Sequence, residues 1–166
     1  MISPELIRRY PFFAGLEEEQ IVTLAQVADE VAVEVGHYFF HEGDKLNIFY
    51  LVVEGEVAVT IEVPDQAVEQ KVSGQLTGKL QTKDIVISTV GPGEVFAWSG
   101  LVPPHESTAS AMANGACRVI AFDGIALREK FEEDCRFGYI MMQKAAEVSR
   151  GRLRDLRIES LASLIG

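Results

Sequence analysis

The sequence predicts an α+β domain in which short β-strands form the core and helices gather at its two ends. Apolar residues recur at helical spacing near both ends of the chain. Between the two ends, apolar residues recur at every second position instead. Short apolar runs there are separated by Gly, Pro and Asp, as in β-sandwiches and barrels. The 166 residues are 48% hydrophobic, enough for one domain with its own core. We therefore interpret 1–166 as one domain, with an N-terminal helical part (1–33), a β part (34–122) and a C-terminal helical part (123–166).

The N-terminal part is predicted to be mostly helical. From Glu17 to Val33, apolar residues fall at helical spacing behind an acidic first turn, which suits the positive end of a helix dipole. These residues are Ile21, Leu24, Ala25, Val27, Ala28 and Val31. The aromatic segment before this helix contains Pro11, and proline disfavours helix in the residue that precedes it. We expect a short helical turn there, with its aromatic rings packed on the main body.

Short strands are predicted between the helical parts, each bounded by turn residues. They are Val31–Val35, Tyr38–His41, Ile48–Val53, Glu56–Val63, Lys83–Val90, Val95–Ala97 and Cys117–Phe122. The segment Pro64–Leu80 is poor in apolar residues and rich in Gln, Gly, Ser, Thr and Lys. We expect a long solvated hairpin loop over this segment.

The C-terminal part is predicted to form two helices, Gly124–Glu132 and a long one from about Arg136 to Leu164. The long helix carries an apolar stripe, and several arginines lie in the same region. The stripe consists of Met142, Ala146, Leu153, Leu156, Leu161 and Leu164. Because an exposed apolar stripe needs a partner, we expect two copies of this helix to pack side by side in a homodimer. The alternative is that the helix folds back over its own β core.

The composition argues against several classes of protein. A net charge of −10 and a pI near 4.8 repel nucleic acid and acidic membranes. No apolar run approaches the roughly 20 residues that cross a bilayer. The two cysteines, Cys117 and Cys135, and the lack of a cationic, apolar leader indicate neither a disulfide framework nor secretion. We therefore expect a cytoplasmic protein that binds neither nucleic acid nor membranes directly.

Two stretches contain a distinctive series of turns. Phe12–Gln20 places aromatic residues and a glycine before an acidic helix. Gly36–Asp44 and Tyr50–Val57 then combine a strand, a Glu-Gly-Asp turn and a strand that ends in a glycine turn, with Gly43 and Gly55 where sharp turns favour positive φ. This order resembles the cyclic-nucleotide-binding domain family, found in the sensor domains of Crp/Fnr-type regulators and in regulatory subunits of kinases. The resemblance covers nearly the whole chain and implies a double-stranded β-roll, or jelly roll.

A third stretch resembles the family's phosphate-binding cassette. It consists of Gly93-Glu94-Val95-Phe96-Ala97, followed by Ser107-Thr108-Ala109-Ser110-Ala111. In the family, backbone amides and one arginine neutralise a cyclic phosphate, and a glutamate accepts a hydrogen bond from the ribose hydroxyl. The resemblance assigns the ribose contact to Glu94, the hydroxyl contact to Thr108 and a close backbone approach to Gly93.

The cassette lacks the family's arginine. Its position falls on Ser107, or on Glu106 if the loop is longer, and neither side chain supplies a cation. Losing a charge-assisted bond of this kind costs about 1.5–3 kcal/mol, and Glu106 would also repel a phosphate. His105 is an alternative source of positive charge, because histidine titrates near neutral pH. The predicted ligand-binding set is Gly93, Glu94, Val95, Phe96, Trp98, His105, Ser107, Thr108 and Ala109.

Several candidate residues also have a purely structural interpretation. Glu94 could cap amides of its own turn, and Trp98 could cover the core rather than stack on a ligand base. His37, His41 and Glu42 suggest a cupin-type metal site. However, residues four apart on one extended strand are about 13 Å apart, which is too far for ligands about 2.1 Å from a single metal. A metal site is therefore not predicted.

The sequence predicts a regulatory β-roll and not an enzyme, because no nucleophile with an adjacent base, no P-loop and no spaced thiolate cluster is present. We expect it to sense a small molecule, to need no cofactor and to bind neither cAMP nor cGMP tightly. The chain ends at Gly166, just after the long helix, so we expect no fused output domain and a protein partner for the output. Three alternatives stay open: a cyclic-nucleotide-binding regulator with a rearranged site, a structural interaction module with an empty pocket, and a cupin-type metalloenzyme.

Overall fold

The computed structural model describes residues 1–65 and 81–166. In these residues the α-helices are α1 (Pro4–Arg8), α2 (Glu18–Gln26), α3 (Gly124–Glu133) and α4 (Cys135–Ile165). The strands are β1 (Ala28–Val33), β2 (Tyr38–Phe40), β3 (Ile48–Glu54), β4 (Val57–Pro64), β5 (Thr82–Val90), β6 (Val95–Phe96), β7 (Ser110–Ala113) and β8 (Cys117–Asp123). One-turn 3-10 helices span Pro11–Phe13 and Trp98–Gly100. Of the predicted loop Pro64–Leu80, Pro64 ends β4, and the part beyond Asp65 lies outside the described residues.

The strands form two four-stranded antiparallel sheets, in the orders β1-β8-β3-β6 and β2-β7-β4-β5. Buried side chains of both sheets meet in one apolar cluster, to which Val52 and Val119 contribute from the first sheet and Val57 and Ala111 from the second. The sheets therefore face each other across this core. The predicted α+β class, with a β-roll flanked by N-terminal and C-terminal helices, is confirmed.

The predicted helix from Glu17 to Val33 is too long. It begins as expected, with a capping box between Glu17 and Gln20, but α2 ends at Gln26. The next residues form β1, which pairs along its whole length with β8. Because β8 is a buried central strand, its backbone groups on this side need a strand partner, and this pairing outweighs the helical spacing of the side chains.

Strand β7 was not among the predicted strands. Its sequence, Ser-Ala-Met-Ala, has no β-branched or aromatic residue and so lacks the usual signal of a strand. The strand lies between β2 and β4, with Ala111 and Ala113 fully buried in the core between the sheets. Burial inside the second sheet therefore decides its conformation, and not its intrinsic propensity.

Helix α4 is held against the first sheet at its N-terminal end. Phe137, Met141 and Ala145 are buried, and the first two join the core that α1 and α2 form on the outer face of this sheet. Asp134 caps α4 by accepting a hydrogen bond from the Phe137 amide at 3.0 Å, and it accepts another from Gln20 Nε2 at 3.0 Å. The Gln20 hydrogen bond is the main reason that the pKa of Asp134 lies below its usual value. These contacts fix the start of α4 and direct its later turns past β6.

Candidate ligand-binding site

The cassette-like segment, residues 93–111, runs from the turn before β6 through the 3-10 turn Trp98–Gly100 to the start of β7. Ala97, just before the turn, has φ 62°, and His105 has φ 58°. Residues other than glycine rarely adopt this left-handed backbone conformation, and they keep it only where the surrounding structure holds it in place. His105 Nδ1 lies 3.1 Å from the Ser99 carbonyl oxygen, which ties the loop to the turn. The backbone of this segment is therefore held in one specific shape.

Glu94 is exposed and caps its own turn. Its Oε2 accepts a hydrogen bond from the Gly91 amide at 2.7 Å. Gly93, with φ 83°, donates from its amide to the Val52 carbonyl oxygen at 2.8 Å. The hydrogen bond from the Gly91 amide is the contact expected if Glu94 caps its own turn. The role of Glu94 toward a ribose stays a prediction.

The two positions where the family's arginine would fall are engaged elsewhere. Ser107 is only 5% exposed, and its hydroxyl hydrogen-bonds to the amide and carbonyl groups of Ala109. The Glu106 carboxylate pairs with Lys45 Nζ at 3.0 Å on the surface. Neither residue brings a positive charge to the cassette.

The positive charge beside the cassette comes from Arg152 of α4, which the sequence analysis did not single out. Its Nη2 donates to the Val95 carbonyl oxygen at 2.8 Å, and its guanidinium carbon lies 4.1 Å from the centroid of the Trp98 ring. Burial lowers the pKa of Arg152 to about 10, while the negative charge of Glu94 acts in the opposite direction. Arg152 is therefore cationic at neutral pH.

One sequence signal could have identified Arg152. It continues the buried face of α4, because it lies seven residues after the buried Ala145 and eleven after Met141. A charged residue at the next position of a buried helical face is unusual, since buried charges are costly without a partner. The arginines around it, Arg150 and Arg154, are exposed.

Two cavities meet at Trp98 and Arg152. The larger, of about 500 Å³, lies between β5, the cassette and α4, and its walls include Ile87, Leu153 and Leu156. The smaller, of about 70 Å³, lies on the cassette side. The larger volume is within the range of about 300–1,000 Å³ typical of ligand pockets, and the smaller is far below it. A drug-sized ligand therefore fits between α4 and the roll but not in the cassette-side cavity alone.

Five of the predicted site residues line these cavities. Trp98, Thr108 and Ala109 line both, whereas Phe96 and Ser107 line the smaller one. Val95 contributes the carbonyl group that holds Arg152. A further cavity of about 430 Å³, beside Phe39, Lys45 and Tyr50, has none of the predicted site residues in its walls.

The histidines considered as metal ligands contact aromatic rings. His41 stacks on Tyr38 with 4.4 Å between ring centroids, and His37 meets Phe39 edge-on at 5.2 Å. Across residues 1–65 and 81–166, no three or more His, Cys, Asp or Glu side chains are grouped so as to hold a metal ion. In the same ranges, no helix combines the length and the apolar character required to cross a bilayer.

Known proteins resemble this chain in sequence and in fold. A candidate cyclic nucleotide-binding protein from Geobacter metallireducens GS-15 has a crystal structure that is 31% identical, with a TM-score of 0.73, over 92% of this chain and 99% of that one. The CRP-like cAMP-activated global transcriptional regulator of Mycobacterium tuberculosis is 24% identical over 124 residues, 75% of this chain and 48% of the regulator. The cGMP-dependent protein kinase egl-4 of Caenorhabditis briggsae is 26% identical over 107 residues, 64% of this chain and 12% of the kinase.

The matched regions of these two relatives are parts of longer proteins. The chain spans about half of the Mycobacterium regulator and a much smaller part of the kinase. The family model of the cyclic nucleotide-binding domain matches residues 30–134, more than half of the chain. This range contains most of β1, all of β2 to β8, the cassette-like segment and α3. The chain thus belongs to the cyclic nucleotide-binding domain family.

Proposed function

We propose that this chain is a regulatory module that senses a small molecule in the cavity between its β-roll and α4, and that it does not catalyse a reaction. The observation that carries the proposal is the cavity of about 500 Å³, whose walls combine cassette residues with about three turns of α4, from Ser149 to Glu159. A ligand there would contact the roll and the helix at once. Ligand binding would therefore favour one position of α4 relative to the roll. A partner protein would then recognise that position of the helix.

A thermal-shift screen with nucleotides, haem and small metabolites tests this function. A compound that binds only the folded state at 100 times its Kd stabilises it by about 2.7 kcal/mol, which raises the Tm. Thr108→Trp should reduce or abolish the shift, because Thr108 is exposed and lines both cavities, so that an indole there would occupy space that the ligand needs. If no compound shifts the Tm, the chain is better explained as a structural interaction module.

Cyclic nucleotides are expected to bind this site weakly or not at all. The cassette-side cavity has a volume of only about 70 Å³, and the cation in its wall, Arg152, comes from α4 and not from position 106 or 107. Calorimetry with cAMP and cGMP at low salt should show no dissociation constant below 1 μM, with the cAMP-activated Mycobacterium regulator as positive control. Submicromolar binding, more than about 8 kcal/mol, would show that the cassette does not need its arginine.

We further propose that two copies of the chain associate through the last turns of α4. Beyond Arg152 every residue of the helix is exposed, including Leu161 at 58% and Leu164 at 81%. Leu153 and Leu156 of the predicted stripe face the cavity in the same chain, so the stripe is shared between the roll and the free end. A second copy is the occupant that the charges allow, because residues 160–166 carry no charged side chain that would repel the same segment of another copy.

Light scattering at micromolar concentration should give twice the chain mass of 18.3 kDa. Removing the residues after Glu159 keeps Arg152 and the cavity wall, and it should leave a folded monomer. Leu161→Glu with Leu164→Glu should have the same effect. Tyr139→Glu, at a 63% exposed position near the start of α4, should leave the dimer intact. An intact protein of 18.3 kDa would disprove the dimer, and a mixed complex would indicate a different partner.

A further inference from the structure

We propose that Arg152 is the anion-binding residue of this site, so that the cavity takes a small molecule with one acidic group and an apolar body. The proposal rests on the function proposed above, because it specifies the ligand chemistry of the same cavity. It replaces the cation missing from the cassette with one that comes from α4, on the opposite wall.

The partly buried guanidinium of Arg152 has hydrogen-bond donors that are free to bind a ligand. A guanidinium carries five N–H donors in a planar fork. Within the described ranges, it donates to the Val95 carbonyl oxygen and lies on Trp98, and no carboxylate is within ion-pair distance of it. Buried charges are normally paired, because removing a charge from water is costly. The charge of Glu94 acts on Arg152 only from beyond ion-pair distance, whereas an acid in the cavity could accept two parallel hydrogen bonds from the fork.

The rest of the cavity defines the body of the ligand. Ile87, Leu153 and Leu156 form an apolar wall, and the Trp98 ring lies beside the guanidinium. Apolar and aromatic walls with a single cationic group favour a ligand that is mainly hydrophobic and carries one acidic group.

Two carboxylates limit the charge of that ligand. Asp155 and Glu159 line the same cavity from exposed positions on α4. A second acidic group on the ligand would approach them and be repelled. The ligand expected here is therefore a carboxylate or sulfonate monoanion, and not a polyphosphate.

Two fluorescent probes that differ only in charge test the proposal. 8-Anilinonaphthalene-1-sulfonate carries one sulfonate on an aromatic body, and N-phenyl-1-naphthylamine is the same body without it. Trp98 is the only tryptophan in the chain, so quenching of its emission reports binding in this cavity. We expect the sulfonate to bind the unmodified protein at least tenfold more tightly than the neutral probe, a difference of about 1.4 kcal/mol. This comparison needs no variant.

Arg152→Gln should weaken sulfonate binding at least tenfold and leave the affinity for the neutral probe within twofold. Arg154→Gln makes the same change at an exposed position two residues later, and it should alter neither affinity. Arg152→Lys keeps the charge without the planar fork and should retain part of the preference for the anion. Thermal unfolding of each variant identifies any general loss of structure.

The outcomes separate this inference from the proposed function. Equal binding of the two probes to the unmodified protein would overturn the role of Arg152 and leave the cavity as a neutral ligand site. Equal losses of sulfonate affinity in Arg152→Gln and Arg154→Gln would overturn it too, because the effect would then be one of net charge. If neither probe quenches Trp98, the inference fails, and the thermal-shift screen shows separately whether the proposed function fails with it.

Discussion

The double variant Ser107→Arg/Glu106→Gln is expected to bind cAMP at least tenfold more tightly than the unmodified protein. The new guanidinium would stand where the family's arginine falls, beside Thr108 and Ala109, in the wall of the cassette-side cavity. Tenfold corresponds to about 1.4 kcal/mol, which is within the contribution of one charge-assisted hydrogen bond. Glu106→Gln removes the carboxylate that would repel the phosphate. It breaks only a surface pair with Lys45, worth about 0–1 kcal/mol.

Calorimetry of the double variant should be paired with Ser107→Gln/Glu106→Gln, which adds a long polar side chain without a charge. We expect no gain of affinity in this control. Ser107 is buried, so thermal unfolding must show that both variants are folded. A folded arginine variant with no gain would mean that the cassette is aligned wrongly and that residue 107 does not face a bound phosphate.

The substitution Gly55→Ala is expected to lower the free energy of unfolding by about 2–5 kcal/mol. Gly55 has φ 88°, where a side chain costs about 1–2 kcal/mol. A Cβ there would also lie 2.6 Å from the Ala116 carbonyl oxygen and 2.8 Å from Cys117 Sγ. Relieving such a clash typically costs a further 1–3 kcal/mol or so. The turn between β3 and β4 therefore requires glycine for two independent reasons.

Gly43→Ala is the matched control for Gly55→Ala. Gly43 has φ 87°, nearly the same backbone conformation, but a Cβ there would meet no atom within 4 Å. We expect Gly43→Ala to cost only the conformational part, about 1–2 kcal/mol. Urea unfolding of both variants measures the difference. Equal losses would show that the strand ends move apart at Gly55 at little cost and that the close approach to Ala116 is not a constraint.

Local chemistry in the sequence was sufficient to predict the elements that depend on neighbouring residues. Gly43 and Gly55 indicate sharp turns because their conformation excludes most side chains, and both have positive φ in the structure. The two C-terminal helices follow from periodicity alone, and α3 and α4 match their predicted bounds to within one residue at each end. That Ser107 and Glu106 supply no cation is likewise visible in the sequence, while their alignment with the family's arginine stays a prediction.

The predictions failed where distant parts of the chain decide the outcome. Residues 28–33 continue the helical spacing of α2, yet they form β1 because β8, some ninety residues later, offers an unpaired edge. β7 lacks strand-forming residues and becomes a strand because it lies between β2 and β4. In both places the hydrogen-bonding needs of a buried backbone outweigh a local preference of less than about 1 kcal/mol per residue.

The sequence by itself determined the fold class, the order of most elements and the fact that neither Ser107 nor Glu106 is cationic, because these depend on residue type and short-range spacing. Only the tertiary structure decided how the site is completed. Arg152 lies 45 residues after Ser107, and no spacing rule relates the two positions. They become neighbours because Asp134 and Phe137 anchor the start of α4, and the rigid rise of the helix then carries Arg152 to Val95 and Trp98.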